Sequence, residues 1–223
     1  MLDRKIEKKI REWIIQGKKA LLIDGARQVG KTFVIRKVLK AEGCRYVEFN
    51  LLKSPELVKV LASAETVDDL ITALSLFADK PLLKGETFIF IDEIQEFREL
   101  ATKLKFWVDE GSFRYVFSGS LLGVELKDIR SAPVGYLKTL KMYPLDFEEF
   151  LQLYNFTDEL RASLLRSFNE RIPVNDVVHE RMIKIFNMYL NVGGMPAAAD
   201  RFRETRNLED VMAEHDDIKS QYK

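Results

Sequence analysis

The chain has 223 residues, enough for one hydrophobic core with a small accessory bundle, and its 35 lysines plus arginines balance 35 aspartates plus glutamates. That balance excludes an overall field drawn to nucleic acid or to an anionic membrane surface. The single cysteine, Cys44, excludes an internal disulfide framework and a cysteine-rich zinc site. No segment approaches the ~18 uninterrupted apolar residues of a membrane span or carries a signal-peptide core, so a cytoplasmic protein with no membrane partner is expected.

Ile6, Ile10, Trp13 and Ile14 recur at helical spacing among charged residues, which predicts a helix over 3–16 stopped by Gly17. Residues 20–24 form a short apolar strand, a glycine loop follows, and 31–39 reads as the helix leaving that loop. Residues 46–51 suggest a second strand, and Thr66 with Asp69 three positions on suggests a capping box opening a helix through Phe77. The nearly continuous apolar run 87–91 marks a parallel strand buried on both faces. Phe97, Leu100, Leu104 and Trp107 give 96–110 helical periodicity, 113–117 is a strand running into Ser118, Gly119 and Ser120, and 136–143 is a candidate fifth strand. From Phe147, Phe150, Leu151 and Tyr154 onward the pattern is helical. The boundary is placed near residue 145, giving a core over 1–145 and a helical lid over 146–223. The class is α/β: a parallel sheet with helices on both faces and ligands at the C-terminal strand ends.

The most informative segment is Gly25-Ala26-Arg27-Gln28-Val29-Gly30-Lys31-Thr32. A loop that wraps a polyphosphate turns tightly and points backbone N–H groups inward, which requires glycine where a side chain would block the approach or forbid the dihedrals. Lys31 supplies a point charge to the outer phosphates, Thr32 a hydroxyl to magnesium, and the following helix, with Phe33 in its first turn, its N-terminal partial charge. The implied ligands are ATP and Mg2+.

Phe88, Ile89, Phe90 and Ile91 run directly into Asp92 and Glu93, so a buried strand delivers two carboxylates to the sheet edge. Asp92 is the candidate for the magnesium shell and Glu93 for the group that orients the attacking water. Ser118 and Ser120 are candidates for sensing the γ-phosphate, against the plainer reading of a turn around Gly119.

These words resemble the prokaryotic AAA-type ATPases of the ASCE class whose members commonly carry a nuclease-like C-terminal domain. Asp24 to Thr32, Ile91-Asp92-Glu93-Ile94-Gln95 and Ser118-Gly119-Ser120 match, as do Pro133-Val134-Gly135, the stretch from Tyr143 to Phe150, and Gly193-Gly194-Met195-Pro196. The resemblance implies ATP binding with slow hydrolysis, a sheet of strand order 5-1-4-3-2 and a helical bundle after it. Many relatives carry an arginine after the glycine that here is Gly135; this chain has Tyr136, and Arg130 is the nearest substitute, against a surface arginine without a role. Relatives also continue beyond this point in the chain. With Leu208, Val211, Met212, Ile218 and Tyr222 at helical spacing towards the last residue, a fragment ahead of a C-terminal effector domain is expected.

Several features read as structural. His179 and His215 lack metal-ligand spacing, and Trp13, Trp107, Phe147, Phe150 and Tyr154 sit at core spacing, so nucleic-acid binding has no sequence signal. The Gly193–Pro196 stretch is either a helix-turn-helix corner or, as in related lid-bearing ATPases, a turn with Pro196 beside the nucleotide. Two functions stand: an ATPase that moves a lid and a following effector, alone or as a homo-oligomer, and a nucleotide-dependent switch or scaffold with incidental turnover. A small-molecule kinase would need lid arginines and a substrate pocket that the sequence does not reveal.

Overall fold

A computed structural model describes residues 2–97, 99–120 and 135–220. They divide into two compact units: Lys5–Met142, and the residues from Tyr143 onward together with those ahead of Lys5.

The first unit is built on five parallel strands: β1 (Ala20–Asp24), β2 (Tyr46–Asn50), β3 (Phe88–Asp92), β4 (Arg114–Gly119) and β5 (Leu137–Lys141). Their order is β2-β3-β4-β1-β5, which is the expected 5-1-4-3-2 read from the other edge. The register places Asn50 beside Asp92 and Asp24 between Gly119 and Lys141, so the C-terminal ends of all five strands form one edge. β4 lies between β1 and β3. Every residue of β3 is buried, as the unbroken apolar run requires of a strand covered on both faces.

The described helices of the unit are α1 (Ile6–Gln16), α2 (Lys31–Ala41), α3 (Pro55–Ser63), α4 (Val67–Phe77) and α5 (Leu100–Glu110). α1 buries Ile6, Ile10 and Trp13, and its end is held by Arg114, whose guanidinium donates to the carbonyls of Trp13, Ile14 and Gly17 while lying 4.6 Å from the Trp13 ring. The capping box of α4 forms as expected, with Asp69 N–H on Thr66 Oγ1 at 3.1 Å and Thr66 N–H on Asp69 Oδ2 at 3.0 Å. α3 was absent from the sequence reading. Its signals are Pro55 at the first helical turn and Leu57 and Leu61 four apart, both buried, with Lys103 capping its far end through the carbonyls of Leu61, Ala62 and Ala64. The helix expected over 96–110 is two pieces, a 3-10 turn at Ile94–Glu96 and then α5, because Phe97 is extended and wholly buried between them. The core takes Leu22, Phe49, Leu57, Leu74, Ile91 and Trp107, each side chain of this size contributing roughly 1.5–3 kcal/mol by leaving water.

The second unit is helical: α6 (Phe147–Phe150), a 3-10 turn at Leu151–Tyr154, α7 (Asp158–Glu170), α8 (Asp176–Val192), α9 (Pro196–Thr205) and α10 (Leu208–Ser220). Asp146 and Glu149 form a capping box, and Arg4, paired with Glu149 at 3.2 Å and donating to Tyr143 O at 2.6 Å, fastens the residues ahead of α1 to this unit. Phe150, Ile185, Val192, Ala199, Phe202 and Val211 make its core. His215 faces the Val192 carbonyl at 3.0 Å, at the end of α8. The corner between α8 and α9 is built on two glycines. Gly193, at φ 73 and ψ -176, occupies a region essentially reserved for glycine. Gly194 approaches Leu145 so closely that a Cβ would lie 2.4 Å from Leu145 O, and its own carbonyl accepts from Leu145 N–H at 2.6 Å. Among the described residues no helix is long and apolar enough to cross a membrane.

Candidate functional site

The loop between β1 and α2 has the form its composition demands. Gly30 adopts φ 92 and ψ 23, the left-handed conformation that glycine tolerates without penalty, and from it α2 begins at Lys31. Gln28 is also left-handed, at φ 63, and Val29 is wholly buried, anchoring the loop to the core. Gly25 has a reason that the sequence could not give. A Cβ there would stand 2.1 Å from Met142 O, because the chain leaving β5 runs against the loop, with Met142 N–H on Asp24 O at 2.7 Å.

Lys31 is 8% exposed, and its ammonium donates to Gly25 O at 2.9 Å and Ala26 O at 2.7 Å, inside the curve of its own loop. Burial lowers its pKa, against the opposing pull of Glu93, Asp92 and Asp24. Ala26 and Arg27 lie in the same curve, and Thr32 and the partly exposed Phe33 follow in the first turn of α2.

Asp92, at the end of β3 and 3% exposed, collects three donors. Thr32 Oγ1 donates to its Oδ2 at 3.0 Å, Asn50 Nδ2 to the same oxygen at 3.2 Å, and Ser118 Oγ to Oδ1. Four elements therefore converge on one carboxylate: α2, β2, β3 and β4. Three hydrogen bonds offset the cost of burying the charge and fix where its oxygens point. Asn50 has no motif to mark it; its one signal is a polar side chain at the end of β2, which pairs with β3. Ser118, fully buried, faces Asp92, whereas Ser120 lies beyond the end of β4 with its N–H on Gln95 Oε1 at 3.3 Å.

Glu93 follows Asp92 in a left-handed conformation, φ 57 and ψ 48, which costs a non-glycine residue of order 1 kcal/mol and turns the chain off the strand into the 3-10 turn. Its Oε2 accepts from Gln95 Nε2 at 2.5 Å. Arg130 lies outside the described residues. Tyr136, in place of the relatives' arginine, directs its hydroxyl to Asp109 Oδ2 at 3.3 Å. Pro196 opens α9 in the helical unit.

The donor set suits a small hard cation. One carboxylate and one hydroxyl, both oxygen, leave the remaining positions to phosphate and water, as magnesium prefers, and no group of three or more His, Cys, Asp or Glu stands together among the described residues.

A glycine loop between β1 and α2, facing a buried carboxylate from β3 on a sheet of order 5-1-4-3-2, defines a P-loop nucleoside-triphosphatase fold. A family model for an AAA domain matches residues 17–151, more than half of the chain, and the chain belongs to that family. Among solved structures it is similar to the Walker-type ATPase paby2304 of Pyrococcus abyssi, at 16% identity and TM-score 0.56 over 100% of this chain and 73% of that one. It is also similar to PCH-2 of C. elegans (14% identity, TM-score 0.46, 93% and 64% covered). Drosophila ORC bound to DNA gives 15% identity and TM-score 0.47, with 96% and 66% covered. At 16% identity the likeness to the Pyrococcus abyssi protein is one of fold. No curated protein matches the chain.

Proposed function

We propose that this AAA domain binds Mg-ATP in the loop Gly25–Thr32 and hydrolyses it, slowly or on activation by a partner. The observation that carries the reading is the 3.0 Å hydrogen bond from Thr32 Oγ1 to Asp92 Oδ2, which joins the phosphate loop to the β3 carboxylate across sixty positions of sequence. In this reading the loop amides and Lys31 hold the β- and γ-phosphates, and Thr32 and Asp92 hold the cation. Magnesium, when bound, neutralises charge developing on the transferred phosphoryl group. Asn50 and Ser118 keep Asp92 aimed, and Glu93 orients the attacking water and accepts its proton. Ser120 and Arg130 are assigned to the γ-phosphate side.

Steady-state and single-turnover hydrolysis, across protein concentration and with and without DNA, tests the proposal. Asp92→Asn is expected to raise the half-saturating magnesium concentration by about tenfold or more, since a neutral amide is a far weaker ligand than a carboxylate. An unchanged magnesium dependence would remove Asp92 from the cation site. Occupancy without turnover under every condition would favour the nucleotide switch, a reading to which Tyr136 in place of an arginine lends weight, because a missing arginine finger costs about 10³ to 10⁵ in rate.

The same proposal gives residues 146–223 the part of a lid and gives Pro196 a part in nucleotide affinity. Gly194→Val should destabilise the protein by about 2–4 kcal/mol, from a backbone clash with Leu145 and one lost hydrogen bond. Pro196→Ala, which costs little packing, decides the functional part. A fall in ATP affinity without a fall in thermal midpoint supports the lid role, whereas parental affinity in both variants leaves a corner only.

A further inference from the structure

Gly119 ends β4 against a side chain to which the proposed chemistry gives no task. A Cβ on Gly119 would lie 2.7 Å from Gln95 Oε1 and 3.0 Å from Ile94 Cγ2, so the strand ends in glycine where the Gln95 amide needs the space. That amide is engaged at both atoms. Nε2 donates to Glu93 Oε2 at 2.5 Å, and Oε1 accepts from Ser120 N–H at 3.3 Å.

We propose that Gln95 is a positioning residue for Glu93, fixing the direction of its carboxylate and tying it to the end of β4. This inference rests on the assignment of Glu93 as the group that orients the attacking water. The chemistry selects glutamine. A carboxylate only accepts and a backbone N–H only donates, and a primary amide is a neutral group that serves both at once. A carboxylate at position 95 would still accept from Ser120 but would confront Glu93 with like charge; asparagine lacks a methylene of reach. Glu93 stands at the left-handed turn off β3, beyond the strand's regular ladder, and the Gln95 amide is the hydrogen-bond donor that meets its carboxylate. Since Ser120 shares the amide, the position of the β4 end and the aim of Glu93 are set together. The hydrogen bonds of Gln95 go to Glu93 and to the Ser120 N–H, so it affects the chemical step and leaves nucleotide binding to the loop.

The test uses Gln95→Met, which keeps length and volume without the amide, and Gln95→Glu, which keeps the acceptor alone. Both are expected to lower kcat for ATP hydrolysis by about tenfold or more, with KM and the calorimetric Kd for Mg-ATP within about twofold of the parent. In the nucleotide-free protein the Ser120 amide hydrogen should exchange faster in Gln95→Met. In a Glu93→Gln background, single-turnover rates should fall no further when Gln95→Met is added, because two residues acting through one step are not additive. Parental kcat in both variants, or a loss that persists undiminished in the Glu93→Gln background, overturns the proposal and leaves Gln95 as packing for Gly119. If Glu93→Gln itself hydrolyses ATP at the parental rate, the assignment of Glu93 fails and this inference fails with it; slow Glu93→Gln beside fast Gln95→Met refutes Gln95 alone.

Discussion

Lys31→Ala is expected to weaken ATP binding by at least about 100-fold in calorimetry, some 2.7 kcal/mol, while the protein remains folded. Lys31 is the ammonium inside the loop curve, donating to the carbonyls of Gly25 and Ala26, and the negative groups that act on it are Glu93, Asp92 and Asp24. Removing it takes the buried ammonium out of a site that holds those three carboxylates, and leaves the loop amides, Arg27 and the cation to offset an incoming polyphosphate. Desolvation, the first cause of its lowered pKa, acts in the same direction: the buried ammonium is poorly hydrated, so little hydration is lost when phosphate takes it up. Fold is not at stake, since α2 starts from Gly30 and is fixed by Val34, Ile35, Val38 and Leu39 beneath it. A folded variant with parental affinity would show that the loop is not a nucleotide site.

What the sequence made legible was everything encoded in a local pattern. The run from Phe88 to Ile91 announced a strand buried on both faces, the glycine spacing announced the loop, and Thr66 with Asp69 announced a helix start. Each is a short-range constraint that reads the same in the chain and in the fold. Features set by partners distant in sequence were not legible. Gly25 matches a phosphate-loop pattern, but its absolute need for a missing Cβ comes from Met142, more than a hundred positions away. Gly119 looked like a turn residue and is a space left for Gln95. Asn50, one of the residues of the expected strand 46–51, is a donor to Asp92, visible only once β2 and β3 are paired in register. α3 lies in a stretch that carries no decisive local pattern: Ser54-Pro55-Glu56 is as good an opening for a helix as for a turn, and only the buried Leu57 and Leu61 decide between them.

Glu93→Gln is expected to retain Mg-ATP binding within about twofold and to lower the single-turnover rate by about 10² to 10⁴, the usual contribution of a positioned general base. The substitution is conservative in every respect but one. The amide has the size of the carboxylate, so the left-handed backbone at φ 57 and the packing of the 3-10 turn behind it are undisturbed. Its carbonyl oxygen can still accept the hydrogen bond that Gln95 Nε2 now gives to Oε2. Asp92, held by Thr32, Asn50 and Ser118, keeps its place in the cation site because none of those bonds involves position 93. What is lost is the ability to take a proton from water as it attacks. The loss therefore falls on the chemical step alone, and the variant should accumulate as an ATP-loaded protein whose thermal midpoint still rises with added Mg-ATP. Hydrolysis at the parental rate would place the proton acceptor elsewhere and shift the weight to the nucleotide switch, in which the carboxylate beside Asp92 serves the turn rather than the reaction.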